Sequence, residues 1–196
     1  MSDEKKILIK IYKTQNSDEL TTDFVSDNSK LEVGSFAAST AAYAASLLQR
    51  AANACEEGER ADYIKRNTEI IRSYMIHLID EDVKCRGPIL KAYKDGDPNK
   101  IEACIQPATA IAAEIINMLN QLLGLGTEIA DICQKEFIHY VKESAELSMG
   151  AIRARMSYIL NFADLSTDDT YKYVLKRENE ITLGQCEESW KKISGH

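Results

Sequence analysis

Residues 35–55 read SFAASTAAYAASLLQRAANAC, with nine alanines and a single charge, Arg50. Alanine is the strongest helix former, and its short side chain lets a neighbouring backbone come close. A helix this free of charge belongs inside a bundle, so the segment points to an all-α fold. The flanking sequence agrees. Glu56 to Glu59, with Gly58, forms a polar break, and a long helix is predicted from about 60 to 86. Its apolar stripe runs through Ile70, Ile71, Tyr74, Met75 and Leu78, the spacing of one helical face. Gly87-Pro88 should kink or interrupt it. Asp97-Pro98 then reads as an N-cap followed by a first-turn proline.

The next predicted helix covers about 98–123. Between Glu102 and Glu128 its only charge is Glu114. It is apolar nearly all round and should be central. Gln106, Glu114, Asn117, Asn120 and Gln121 interrupt the run and argue against a membrane span. Gly124-Leu125-Gly126 should end it, with another long helix at about 127–162. Ser166 with Asp169 suggests a capping box opening a short helix to about 178. A last helix over about 181–193 carries Trp190. The expectation is a bundle of long helices over residues 34–196 behind a short N-terminal arm, residues 1–33. In that arm, Ile7, Ile9 and Ile11 alternate as in a strand or extended segment. Asn16-Ser17-Asp18 caps a short helix over about 18–26. With so much charge-free helical surface, helices should also pair across a two-fold axis in a homodimer.

Composition narrows the function. The chain has 196 residues, 44% apolar and 28% charged, with only 9 glycines and 3 prolines. That is the balance of a globular domain, and too few turn formers for a β-sandwich. A net charge of −7 disfavours nucleic acid and anionic membrane surfaces as partners. The five cysteines, Cys55, Cys85, Cys104, Cys133 and Cys186, contain no CxxC pair, and their odd number and wide spacing read as reduced thiols of a cytoplasmic protein. His77, His139 and His196 have no second ligand at helical spacing, so no metal site is expected. Phosphate-binding glycine loops are absent.

From Gly34 onward a series of landmarks follows in order. Gly34-Ser35-Phe36-Ala37-Ala38-Ser39 opens the small-residue helix. LIDEDVKCRGPILKAY carries Asp82 and Ala92. ACIQPATAIAAEIINMLNQLL carries Ala103 and Pro107. GLGTEIADI carries Asp131. In this order, over about 31–163, the chain resembles the cyclodeaminase/cyclohydrolase family: the C-terminal domain of formiminotransferase-cyclodeaminase and stand-alone methenyltetrahydrofolate cyclohydrolases. The resemblance implies a one-carbon folate enzyme that hydrolyses 5,10-methenyltetrahydrofolate or deaminates 5-formiminotetrahydrofolate. It needs no cofactor beyond that folate-type substrate. Asp82 and Asp131 would be its catalytic acids, Asp131 touching the pterin, with Gly34, Ser35 and Glu114 binding substrate. The family's Pro-Gly-Gly-Gly-Ser opening is replaced here by Leu31-Glu32-Val33-Gly34-Ser35, and its later asparagines by Gly150-Ala151-Ile152-Arg153-Ala154-Arg155. These departures keep open a non-catalytic dimeric scaffold.

The residues themselves admit plainer roles. Asp82 extends the Ile71, Met75, Leu78 face, where an acid must find a partner or stay protonated. It could equally pair with Lys84 or Arg86 at a helix end. Asp131, in a first turn, would favour the helix dipole. Ser35 could be a plain N-cap. Glu114 lies either on an exposed edge or in a buried site. His77 should be a surface residue, and Arg153 and Arg155, with Lys142, a solvated face.

Overall fold

The structure, a computed structural model, describes residues 11–27, 29–56 and 58–196. Among them are six α-helices, one 3-10 turn and no strand. The helices are α1 (Ser17–Phe24), α2 (Val33–Asn53), α3 (Glu59–Asp95), α4 (Pro98–Ile132), α5 (Ile138–Leu165) and α6 (Asp169–Ser194). The all-α expectation holds. The possible strand around Ile7 and Ile9 lies outside the described residues.

Successive long helices run in alternating directions. Ser35, early in α2, bonds Asp82, late in α3, while Gln49, late in α2, bonds Glu69, early in α3. The end of α5 meets the beginning of α4, where Glu102 accepts from the Ser166 and Thr167 hydroxyls and the Thr167 N–H. Helices α4 and α6 run side by side in the same direction, through Thr109–Tyr171 and Asn120–Gln185.

Helix α2 is the centre. Ala38, Ala41, Ala44, Ala45, Ala51 and Ala52 are fully buried, and α3, α4 and α5 all pack on it. The close approach that alanine allows is visible at Ala44, whose carbonyl accepts a 2.7 Å hydrogen bond from Ser144 on α5. The remaining edge of α2 is dressed by the N-terminal segment. Phe24 lies 4.5 Å, ring to ring, from Phe36, and Ser17 bonds the Tyr43 hydroxyl. Tyr12 is anchored by its backbone N–H, which donates to Asp80 at 2.7 Å. One chain therefore covers its alanine helix, so the burial of α2 does not by itself require a second copy. Helix α4 has the length and composition of a membrane span, but Ile105, Ile115, Leu119, Leu122, Leu123 and Ile129 are buried in the bundle.

Several helix ends differ from expectation. Pro88 lies inside α3, which continues to Asp95 and stops at Gly96, the one described glycine with a left-handed φ. Gly124-Leu125-Gly126 does not end α4. A Cβ on Gly126 would stand 2.9 Å from Ile193 Cδ1, so this glycine serves the approach of α6. The true break is Cys133–Phe137, including a 3-10 turn at Lys135–Phe137. The two short C-terminal helices are one helix, capped by Asp168, which accepts from the Thr170 and Tyr171 N–H groups. Ser166 instead donates to Glu102 and receives the Asp168 N–H.

A larger side chain in the alanine core should be costly. Ala45→Leu is expected to lower unfolding free energy by about 1–3 kcal/mol. Ala154→Leu, on the exposed face of α5, should change it by less than about 0.5 kcal/mol. Urea melts of both variants check this.

Candidate functional site

Helix α2 starts without a cap of its own. Glu32 stands at the N-cap position, but its side chain makes no capping hydrogen bond. Helix N-termini carry free N–H groups and a partial positive charge. Here a neighbouring helix meets that need. The Asp82 carboxylate of α3 receives the Ser35 N–H, and its Oδ2 lies 3.2 Å from the Ser35 hydroxyl. That hydroxyl also lies 3.1 Å from the Ile79 carbonyl, which can accept from it. The approach is possible because residue 34 has no side chain. A Cβ there would lie 1.8 Å from Asp82 Oδ1. Gly34, Ser35 and Asp82 are thus brought together.

The site is more charged than the sequence reading anticipated. Asp82 is only 8% exposed. Arg155 on α5 is 1% exposed, and its Nη1 stands 3.9 Å from Asp82 Oδ1. Its Cζ lies 4.6 Å from the centre of the Tyr158 ring. Arg86, one turn beyond Asp82, pairs with Glu32 at 2.7 Å. Burial pushes the Asp82 carboxyl above its ordinary range, opposed by Arg155, by the Ser35 donors and by Arg86. Glu32 is raised mainly by burial, against the pull of Arg86. Arg155 is lowered by burial, and Tyr158 is raised by it. The result is a carboxylate that can accept a proton, flanked by hydroxyl and N–H donors and balanced by cations. The expectation that Arg153 and Arg155 share a solvated face is half right. Arg153 is exposed beside Glu187, but Arg155 is buried. The signal was available: Val141, Ser144, Ser148, Ile152, Arg155 and Ile159 follow the three- and four-residue spacing of one buried face.

Two other candidates lie elsewhere. Asp131 is not in a first turn but in the last turn of α4, exposed, 3.4 Å from His196 Nε2. Its neighbour Cys133 touches Cys55 beyond the far end of α2. That end, Asn53, lies eighteen residues along the helix from Ser35, about 27 Å at 1.5 Å per residue. The expected convergence of Asp131 with Asp82 does not occur within one chain, because α4 extends past the glycines that were read as its end. Glu114 is half-buried and bonds the Tyr74 hydroxyl, two turns back along α3 from Asp82, about 12 Å by helix rise. His77 is exposed, as expected. Among the described residues no cluster of three His, Cys, Asp or Glu side chains is placed to hold a metal ion.

A family model described as formiminotransferase-cyclodeaminase matches residues 17–180. No curated protein matches by sequence. Among solved structures, formiminotetrahydrofolate cyclodeaminase from Thermotoga maritima superposes with a TM-score of 0.84 at 17% identity, over 92% of this chain and 95% of that one. That likeness concerns the fold.

Because the Gly34 hydrogen faces a carboxylate, a methyl group at this position should separate α2 from α3. Gly34→Ala is expected to destabilise by about 1–3 kcal/mol. In an Asp82→Ala background the added cost should largely vanish, since the obstructing group is gone. A double-mutant cycle in urea reads this coupling, and full additivity would contradict it.

Proposed function

We propose, from the premise that this chain belongs to the formiminotransferase-cyclodeaminase family, that it acts on one-carbon folates with Asp82 as general base. The substrate is 5,10-methenyltetrahydrofolate, hydrolysed to the 10-formyl compound, or 5-formiminotetrahydrofolate, deaminated to the methenyl compound. The observation that carries the reading is Asp82 itself: a buried carboxylate held at a helix start by Ser35 across a glycine.

Both reactions centre on an amidine-type carbon between two nitrogens. In the hydrolysis, water adds to that carbon while Asp82 takes its proton, and the ring cation becomes a neutral adduct. A C–N bond then breaks as the proton on Asp82 passes to the departing nitrogen, and the adduct's hydroxyl becomes the formyl oxygen by giving its proton to the emptied carboxylate and on to solvent. In the deamination, the exocyclic N10 amine adds to the formimino carbon on N5 and gives its proton to Asp82, and the C–N bond to the formimino nitrogen then breaks as ammonia leaves with that proton. One group whose pKa is lifted toward working pH suits either sequence. The Ser35 hydroxyl and N–H orient the carboxylate.

The expected result is turnover of 5,10-methenyltetrahydrofolate above the buffer rate, followed by loss of its near-ultraviolet absorbance. Asp82→Asn should lower kcat by about 10²–10⁴-fold. Asp82 must be ionised to accept the proton, and burial favours its neutral form. Activity should therefore fall on acidification through a pKa above the ordinary aspartate value of 3.8. No turnover by the pure protein on either folate overturns the reading.

A second reading, a helical scaffold without turnover, draws on the start of α2. Leu31 is buried and Glu32 is engaged by Arg86 where a ligand would approach. We also propose that the chain works as a cytoplasmic homodimer. Unpaired cysteines support the compartment. The dimer is supported by the outer edge of α4, where Ala103, Gln106, Pro107, Ala110, Asn117 and Gln121 are exposed and the one charge on that face, Glu114, is half-buried. Sedimentation should give twice the chain mass, and a monomer at assay concentration removes the proposal.

A further inference from the structure

The guanidinium of Arg155 is poorly satisfied for so buried a cation. It faces Asp82 at 3.9 Å, outside hydrogen-bond range. Its Nε and Nη1 have no hydrogen-bond partner. Buried polar groups without partners are costly, and buried charges more so. Around it stand Asp82 and Arg86 from α3, Glu32 from the approach to α2, and Tyr158 from its own helix. Glu32 is already held by Arg86, so Asp82 is the anion that faces Arg155 at contact. Asp82, in turn, gives one oxygen to Ser35 and turns the other toward Arg155.

A guanidinium is a planar, delocalised monocation with N–H donors. An amidinium has the same description. The carbon at which the proposed reactions occur is part of such a group. Two cations of this kind cannot share one desolvated carboxylate oxygen without strong repulsion.

We propose that Arg155 is an autoinhibitory occupant of the site: its guanidinium stands on Asp82 where a cationic amidine group of a ligand has to stand, so the ligand binds only when Arg155 withdraws. This rests on the reading of Asp82 as the carboxylate that meets the ligand. The loose pairing fits an occupant rather than a structural clamp, because a clamp has its donors filled. Withdrawal gives up no hydrogen bond to Asp82, only the stacking on Tyr158, and releases two nitrogens that have no hydrogen-bond partner. The specificity consequence is direct. While Arg155 is in place, the site discriminates against cationic amidines, and an uncharged side chain at this position turns it into a receptor for them.

Acetamidinium is a suitable probe, because it tests the site without the folate ring system. Arg155→Ala should show a saturable rise in Tm with acetamidinium, roughly 5–10 °C at a hundredfold excess over Kd. The wild-type chain should show little, and Asp82→Asn/Arg155→Ala none. Arg155→Met, which keeps the aliphatic stem, carries the same test if the alanine variant does not fold. The proposal is overturned if the wild type responds as strongly as the variants, or if neither variant responds. It is also overturned if neither variant folds, since Arg155 is then a structural residue. Folate turnover plays no part in these measurements. An acetamidinium response without folate turnover would remove the catalytic reading and leave the occupant in place, whereas turnover without that response would do the reverse.

Discussion

A helix that begins in the middle of a bundle has to find acceptors for its first N–H groups, and α2 takes them from another helix. Asp82 fills the position that a serine or aspartate at the N-cap would normally fill. This ties the start of α2 to the late part of α3 and, through Arg155, to α5. The arrangement works only with glycine at residue 34, because the carboxylate occupies the space of a side chain. Chain conformation is not the reason for this glycine: among the described residues only Gly96 has a left-handed φ. The requirement is contact, and it couples the fold to the site. The group that steadies the central helix is also the group with altered proton affinity.

Much of this was readable from residue spacing. The alanine segment announces a helix packed on all sides, and in the structure it is the axis of the bundle. Asp82 extends the Ile71, Met75, Leu78 stripe by one more step, and it is buried with them. Periodicity reports the burial of Ile71, Met75 and Leu78 and, in Asp82, that of an acid too, whereas Ile70, placed in the same stripe, is 64% exposed. Arg155 obeys the same rule on α5, but an arginine near Arg153 suggests a wet surface. Composition there masked position. Its partner could be assigned only once α3 and α5 were seen side by side.

The errors at helix ends share one cause. As local punctuation, glycine and proline predict breaks, whereas tertiary packing decides their effect. Gly126 sits inside α4 because Ile193 of α6 needs the space. Pro88 is carried within α3, whose later turns are held by a small separate cluster of Ile89, Ile105 and Ala108, with Phe162 and Tyr171 around it. Reading the end of α4 too early moved Asp131 from an exposed last turn to a supposed first turn. The dipole role expected of Asp131 falls with that placement, because an acid in a last turn faces the negative end of the helix.

The charges around the start of α2 form a balanced set: Asp82 and Glu32 against Arg155 and Arg86. Balance makes burial tolerable, because each acid has a cation to offset part of its desolvation. The two pairs are not equivalent. Glu32 and Arg86 touch at 2.7 Å and are each partly exposed, which suits a surface pair of small energetic weight. Asp82 and Arg155 are more deeply buried and farther apart, so solvent screens them less while no hydrogen bond between them compensates. A pair of that kind is the part of the molecule most responsive to a ligand that brings its own charge. The Leu31-Glu32-Val33 sequence closes the approach to one side of α2 and, with Arg86, fixes the outer charges. What remains adjustable is the inner pair, Asp82 and Arg155.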